Sequence, residues 1–176
     1  YLLVITSGFS EVGNLGEEQR IISLAREAGM RIVGPNMFGL YSAAASLNAT
    51  FGPSSIQPGG VAIISQSGAL GLAMIGKTTA ENIGLSAICS VGNKADVDEA
   101  DLLAYLVPQE ATRVILMYIE GVKRGEKFIE ALRKATALKP VIVVKAGRSA
   151  RGAAAAASHT GSLAGSDRVF DAVIRQ

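Results

Sequence analysis

A run of small residues after an apolar strand is the first candidate for chemistry in this sequence. Residues 61–65 are typical of a strand, and the residues that follow are typical of the start of a helix. A turn at that point aims backbone N–H groups at one spot, and the helix dipole adds to their attraction for an anion. The same sequence is also compatible with an ordinary βα turn whose helix has a serine N-cap. A P-loop is excluded, because no Gly-Lys-Ser/Thr ending follows. The candidate phosphate-binding residues are Ser65, Gln66, Ser67, Gly68 and Ala69.

His159 is the second candidate, and it is the only histidine in the chain. It lies among small residues in segment 158–167, where no bulky neighbours would bury it, and this suits a side chain that must be reached or must travel. A neutral imidazole is a nucleophile near pH 7 when a partner fixes its tautomer. Glu120, directly after another predicted strand, could be that partner, although alone it is typical of a surface acid.

A third group follows the predicted strand at residues 85–90. Gly92, Asn93 and Lys94 come before a helix whose first acids, Asp98 and Glu99, are typical of capping residues. Because the strand ends of an open α/β sheet share one crevice, we expect the three residues to face the Ser67 loop. They are therefore candidates for a substrate pocket.

The elements that must position these residues alternate along the chain. Short β-branched runs alternate with segments of helical periodicity, which predicts βαβ units around a parallel sheet. The strands are apolar on both faces and need helices on both sides, so we predict a doubly wound α/β fold with a parallel sheet rather than a sandwich. The predicted strands span residues 2–6, 31–33, 61–65, 85–90, 114–118 and 141–145.

Residues 34–60 interrupt this alternation. They are rich in Gly, Pro, Ser, Asn and Ala, with little periodicity, which indicates a connection between two domains. We therefore divide the chain into a partial strand-helix-strand unit at residues 1–40, a linker at residues 41–59 and a domain of four strands with their helices at residues 60–176.

Composition excludes several classes of protein. A balance of 17 Lys plus Arg against 15 Asp plus Glu gives a net charge of +2, too small for a nucleic-acid partner. No apolar run approaches the ~20 residues of a membrane helix. The single cysteine, Cys89, lies in an apolar run and favours a buried strand position in a reducing, cytoplasmic compartment. No metal site is predicted within the chain.

Taken in order, five motifs resemble those of the NDP-forming acyl-CoA synthetases, relatives of succinyl-CoA synthetase, and in particular the α subunit of ADP-forming acetyl-CoA synthetase. Each motif is weak alone, but the match runs over essentially the whole chain in matching strand and loop positions. The motifs are Gly34-Pro35-Asn36, Ser65-Gln66-Ser67-Gly68-Ala69, Ser90-Val91-Gly92-Asn93, Tyr118-Ile119-Glu120-Gly121 and Ser158-His159-Thr160-Gly161-Ser162.

The resemblance implies a three-step reaction. Acyl-CoA and phosphate give an acyl phosphate, the phosphoryl group moves to a histidine, and the histidine passes it to ADP. His159 matches the phosphorylated histidine, Glu120 would orient its imidazole, and residues 65–69 would hold the phosphoryl group. Residues 1–40 would be the C-terminal part of a Rossmann-like, CoA-binding domain, and residues 60–176 would be a flavodoxin-like, doubly wound domain that carries the phosphohistidine.

The resemblance also implies partners. Coenzyme A and its thioester, phosphate and an adenine nucleotide are the expected small molecules, and ATP or ADP with Mg²⁺ would bind to an ATP-grasp domain or β subunit absent from this chain. We expect an oligomer, and we expect no turnover from this chain alone. A non-catalytic CoA- or nucleotide-sensing module of an acetyltransferase fusion is the main alternative. A flavin-binding module is disfavoured because only 5% of the residues are aromatic.

Overall fold

The computed structural model of the protein describes residues 1–147 and Phe170. These residues form a small two-stranded sheet and a six-stranded sheet, with a short 3-10 helix at Ser10–Val12. The strands are Leu2–Leu3 (β1), Ile32–Val33 (β2), Gly39–Ser42 (β3), Leu47–Thr50 (β4), Pro58–Ser65 (β5), Leu85–Ser90 (β6), Val114–Ile119 (β7) and Val141–Lys145 (β8). The α-helices are Leu15–Glu27 (α1), Gly68–Ala80 (α2), Glu99–Leu106 (α3) and Gly125–Thr136 (α4).

The large sheet has the strand order β4-β3-β6-β5-β7-β8. Its β6, β5, β7 and β8 pair in parallel, which confirms the parallel sheet predicted for the second part of the chain. Parallel strands need crossover connections, and α2, α3 and α4 provide them. The carboxyl ends of β5, β6 and β7 therefore meet at one edge of the sheet.

Helices cover the sheet on both faces, as the doubly wound fold requires. Successive residues of β5 face opposite sides: Ile63 packs in a cluster with Ile75 of α2, whereas Ile64 packs in a second cluster with Leu103 of α3. Phe128 of α4 belongs to the second cluster. This two-sided burial explains the continuous apolar run of the strand. Among the described helices, none is long and apolar enough to cross a membrane.

Residues 41–59, predicted as a linker, instead contain β4 and the second half of β3, and both strands extend the large sheet. They form an antiparallel hairpin, and β3 pairs antiparallel with β6. Gly39 has a φ of 122°, and a Cβ there would lie 2.1 Å from the carbonyl oxygen of Ala49. The pairing therefore needs a glycine where a typical strand has a β-branched residue, and this gave the segment the composition of a loop.

Residues 1–36 form a small unit in which β1 and β2 pair in parallel and α1 packs on them through Ile22 and Ala25. The unit is joined to the sheet by the loop after β6. The backbone N–H groups of Asn93, Ala95 and Val97 donate to the carbonyls of Pro35, Gly34 and Ile32, at 2.9 to 3.0 Å. The unit is therefore fixed at the edge where the parallel strands end.

Candidate active site

The loop between β5 and α2 has the geometry of a helix N-terminus open to an anion. The Ser67 hydroxyl caps the helix by accepting the N–H of Leu70 at 3.3 Å, and Ser65 Oγ donates to the Ser67 carbonyl at 2.7 Å. The N–H groups of Gly68 and Ala69 belong to the first turn, where the helix itself offers no acceptors. They carry the positive end of the helix dipole.

Glu120 follows β7 at the same edge of the sheet and is buried, with 5% of its surface exposed. Its backbone is held from several sides. Gln66 Oε1 accepts the N–H groups of Glu120 at 2.9 Å and Gly121 at 3.2 Å. Lys145 Nζ donates to the Glu120 carbonyl at 3.0 Å, and Lys94 Nζ donates to the Gly121 carbonyl. The position of Glu120 is thus tied directly to the loop that begins α2.

These two features meet in a cavity of about 680 Å³. The structure therefore brings four of the five predicted loop residues and Glu120 to one place, whereas Ser65 is fully buried beneath the loop. The polar or small lining residues are Ser7, Glu11, Asn36, Gln66, Ser67, Gly68, Ala69 and Glu120, and the apolar lining residues are Ile5, Val12, Met37, Phe38, Phe51 and Leu72.

The acidic side chains in the cavity lining are Glu11 and Glu120, and the part of the lining that the structure describes contains no Lys, Arg or His. Burial acts to raise the pKa of Glu11, but hydrogen bonds from Asn93 and from the backbone N–H groups of Gly8 and Phe9 outweigh it, and the pKa is lowered. Glu11 is therefore charged near neutral pH. Among the described residues, the first turn of α2 offers attraction for an anion.

Sequence reasoning missed the residues that the first part of the chain adds to the cavity. Glu11 lies in the 3-10 helix of residues 10–12 that follows β1, at the same edge of the molecule as the predicted loops. The signal was available, because this segment also follows a strand end. Phe51 follows β4 and was hidden by the interpretation of its segment as a linker.

Gly92, Asn93 and Lys94 lie behind the cavity wall rather than in its lining. Asn93 Nδ2 donates to Glu11 Oε2 and, at 2.9 Å, to Glu18 Oε2. A Cβ at Gly92 would lie 2.0 Å from the carbonyl oxygen of Pro35, so only glycine allows this close approach. The structure therefore gives Asn93 and Gly92 contacts with the first part of the chain, and substrate binding by them stays a prediction.

Lys94 is almost completely buried and forms an ion pair with Glu99, with Nζ 3.2 Å from Oε2. Burial lowers the pKa of Lys94, and the Glu99 carboxylate opposes that shift. Together with its hydrogen bond to the Gly121 carbonyl, this pair supports the turn that carries Glu120.

His159, the predicted nucleophile, lies outside the described residues. Within residues 1–147, no three His, Cys, Asp or Glu side chains converge as a metal site would require. The geometry of the cavity therefore rests on the α2 loop, Glu120 and their supporting residues.

Comparison with known proteins gives matches over nearly the whole chain. A family model described as "Succinyl-CoA ligase like flavodoxin domain" matches residues 58–176. The α subunit of ADP-forming acetate–CoA ligase I from Pyrococcus furiosus is 58% identical over 98% of this chain and 38% of its own length. The ADP-forming acetate–CoA ligase of Methanocaldococcus jannaschii is 44% identical over 99% of this chain and 25% of its own length.

A solved structure is similar as well. It is described as dinucleotide forming acetyl-coenzyme A synthetase 1 of Ca. Korarchaeum cryptofilum in complex with phosphate and ADP. It has a TM-score of 0.94 and 52% identity, over 98% of this chain and 38% of its own. The chain thus spans well under half the length of the proteins it matches.

Proposed function

This chain belongs to the family of succinyl-CoA ligase-like flavodoxin domains, and from that premise we propose that it is the phosphohistidine-carrying part of an ADP-forming acyl-CoA synthetase. The relatives named above are ligases, which favours an enzyme over a sensing module of an acetyltransferase. The complete enzyme would interconvert acyl-CoA, ADP and phosphate with the free acid, CoA and ATP.

The reaction proceeds in three transfers. A phosphate oxygen attacks the thioester carbonyl, the C–S bond breaks, and CoA leaves as the thiol while an acyl phosphate forms. A ring nitrogen of His159 then attacks the phosphorus, the bond to the acyl oxygen breaks, and the free acid leaves as its carboxylate. In the third step a terminal oxygen of ADP takes the phosphoryl group, which regenerates the imidazole and gives ATP.

The observation that carries this proposal is the meeting of the α2 N-terminus and Glu120 in one cavity. The N–H groups of Gly68 and Ala69, with the helix dipole, would hold the phosphoryl oxygens in the acyl phosphate and in the phosphohistidine. Glu120 would accept the N–H of one imidazole nitrogen, so that the other keeps a free lone pair for attack. A relative of known structure was solved with phosphate and ADP, which is consistent with these ligands.

Coenzyme A is a substrate in this proposal, and the cavity has the size and the mixed lining that its thiol end requires. The ADP and its Mg²⁺ would bind to an ATP-grasp domain, either fused or as a β subunit, which meets this chain at the cavity. We assign Mg²⁺ to the same partner, because the ion would bind the phosphates of the nucleotide held there.

Phosphorylation of His159 is the decisive test. The complete enzyme, incubated with γ-labelled ATP and Mg²⁺, should acquire label that is released in mild acid and survives base, as a phosphoramidate does. His159→Ala should abolish both the label and turnover, and the neighbouring Thr160→Ala should retain the label. Acid-stable label, or full activity of His159→Ala, would contradict the proposal.

A further inference from the structure

We propose that the apolar wall of the cavity, formed by Phe38, Phe51 and Leu72, binds the acyl tail of the acid, and that Phe51 and Leu72 set its length. This inference rests on the proposed function, which assigns the lining to the phosphoryl group and the thiol end of CoA and names no residues for the acyl tail. The ligand class that it names is a carboxylic acid with an uncharged, apolar tail.

The spacing along α2 connects the wall to the phosphoryl site. Gly68 and Leu72 are four residues apart, so they lie on the same face of the helix, separated by about 6 Å along its axis. An acyl phosphate held by the first turn at Gly68 would therefore direct its carbon chain along the helix surface towards Leu72. A tail of a few carbons spans that distance.

The wall is continuous from the phosphoryl site to the cavity mouth. The Phe38 ring packs against Gly71, where a Cβ would lie 2.3 Å from the ring, so this glycine lets the ring lie on the helix. The N–H of Phe51 donates to the Phe38 carbonyl at 3.0 Å, which places the end of β4 beside it. A Cβ at Gly52 would lie 3.3 Å from Leu72 Cδ2, so the chain around Phe51 closely approaches Leu72.

Exposure supports the assignment to a ligand. Phe51 is 70% exposed although it borders a cavity with Phe38, which is buried. A large exposed ring continuous with an apolar wall is typical of a binding surface rather than of ordinary protein surface. Ligand atoms packed against the ring would remove its apolar surface from water.

Charge defines which acids fit. The lining that residues 1–147 contribute holds two acidic side chains and no cationic one, so a second carboxylate on the acid would lose hydration there without gaining a partner. Dicarboxylic acids are therefore expected to be poor substrates, and unbranched acids such as butanoate are expected to fit.

The selectivity of the complete enzyme tests the inference. Acyl-CoA formation would be measured with acetate, butanoate, hexanoate and succinate, and kcat/KM compared for each. Leu72→Ala and Phe51→Ala should each raise the hexanoate-to-acetate ratio of kcat/KM about tenfold. Contacts between a pocket and one or two methylene groups of a substrate change kcat/KM by about that factor. Leu72→Phe should lower the butanoate-to-acetate ratio. Leu138→Ala and Tyr105→Ala, exposed apolar residues away from the cavity, are matched controls and should leave the ratios unchanged.

Two results would overturn the inference. If the wall instead binds the thiol arm of CoA, or if a partner domain covers it, the variants would raise the KM for CoA or slow every acid equally, with unchanged ratios. Succinate used as well as butanoate would contradict the argument from charge. A wild-type enzyme that forms no acyl-CoA and no acid-labile label would instead refute the proposed function itself.

Discussion

Glu120 shows how a single carboxylate can be placed without relying on its own side chain. The N–H groups of Glu120 and Gly121 share one acceptor on Gln66, and the two carbonyls accept from Lys145 and Lys94. The polar atoms of this turn are thus satisfied by side chains from three other segments, which limits the backbone to one conformation. A substitution of the Glu120 side chain leaves these contacts in place.

Glu120→Gln should therefore preserve the fold and slow phosphoryl transfer to His159 by about 10² or more, because it keeps the shape of the side chain and removes the charge that supports the imidazole. Rapid-quench measurement of acid-labile phosphate in the complete enzyme would give the rate. Glu110→Gln, an exposed residue outside the cavity lining, is the matched control. An unchanged rate in Glu120→Gln would remove Glu120 from the mechanism.

At the scale of the elements, glycine decides where the edge hairpin can form. Gly39→Ala should lower the free energy of unfolding by more than about 1 kcal/mol, because its φ of 122° disfavours any side chain and the Cβ would clash with the Ala49 carbonyl. Gly76→Ala is the informative counterpart. Gly76 lies inside α2 with open space around it, so alanine there should raise the unfolding free energy by roughly 0.5–1 kcal/mol.

Urea denaturation of both glycine variants would measure the two changes. The free energy of unfolding is expected to fall in Gly39→Ala and to rise in Gly76→Ala, although both replace glycine by alanine. Equal losses in both variants would show that the hairpin does not depend on the backbone conformation of Gly39.

The elements also show what the sequence could and could not predict. The bounds of β6 and β8 agree with the predicted residues 85–90 and 141–145, because both strands carry long apolar runs ended by small or polar residues. The hairpin of β3 and β4 was missed, because β3 buries only alternate residues, β4 at the sheet edge buries none, and their Gly, Ser and Asn residues are also typical of loops. β1 is shorter than the predicted residues 2–6, since its partner β2 contributes only two paired residues.

Part of the candidate site could also be predicted from the sequence. Loops that follow parallel strands can be expected to share an edge, and Gln66 and Glu120 do so. The contributions of Glu11, Phe38 and Phe51 could not be found by this rule. They depend on how residues 1–36 dock against the sheet and on the hairpin, and both arise from contacts between residues distant in sequence.

Across the whole molecule, an ion-pair network joins residues 1–36 to α3 and α4. Asp96 accepts from Arg31 Nε at 2.7 Å, Asp98 from Arg124 Nε at 2.6 Å, and Lys127 Nζ lies 2.6 Å from Asp101. Burial acts to raise the pKa of Asp101, but Lys127 and hydrogen bonds at Asp98 outweigh it and lower the pKa to about 2. The pKa of Asp96 is also lowered, because its bonds with Arg31 and Ile32 outweigh burial.

These lowered pKa values predict how the free energy of unfolding depends on pH. A carboxyl whose pKa is lower in the folded protein stabilises it above the unfolded pKa of about 3.9, and that contribution disappears as the pH falls towards 2. We expect the unfolding free energy to fall between pH 4 and pH 2 by about 1 kcal/mol for the partly exposed Asp101, after allowance for solvent screening. Urea titrations at several pH values would show it, and Asp101→Asn should flatten the slope. An unchanged slope would mean that the network contributes nothing.

Asn93 connects residues 1–36 to the sheet, and the cavity is lined from both of these parts. Glu11 and Asn36 come from residues 1–36, whereas Gln66 and Glu120 come from the loops of the sheet. A ligand that contacts both parts therefore binds best while residues 1–36 are docked on the sheet, so by thermodynamic linkage its binding stabilises that docking. A ligand that binds only the docked form would add about 2.7 kcal/mol to its stability at one hundred times the dissociation constant. Filling the cavity would thus strengthen the contacts of Asn93, which the ligand itself need not touch.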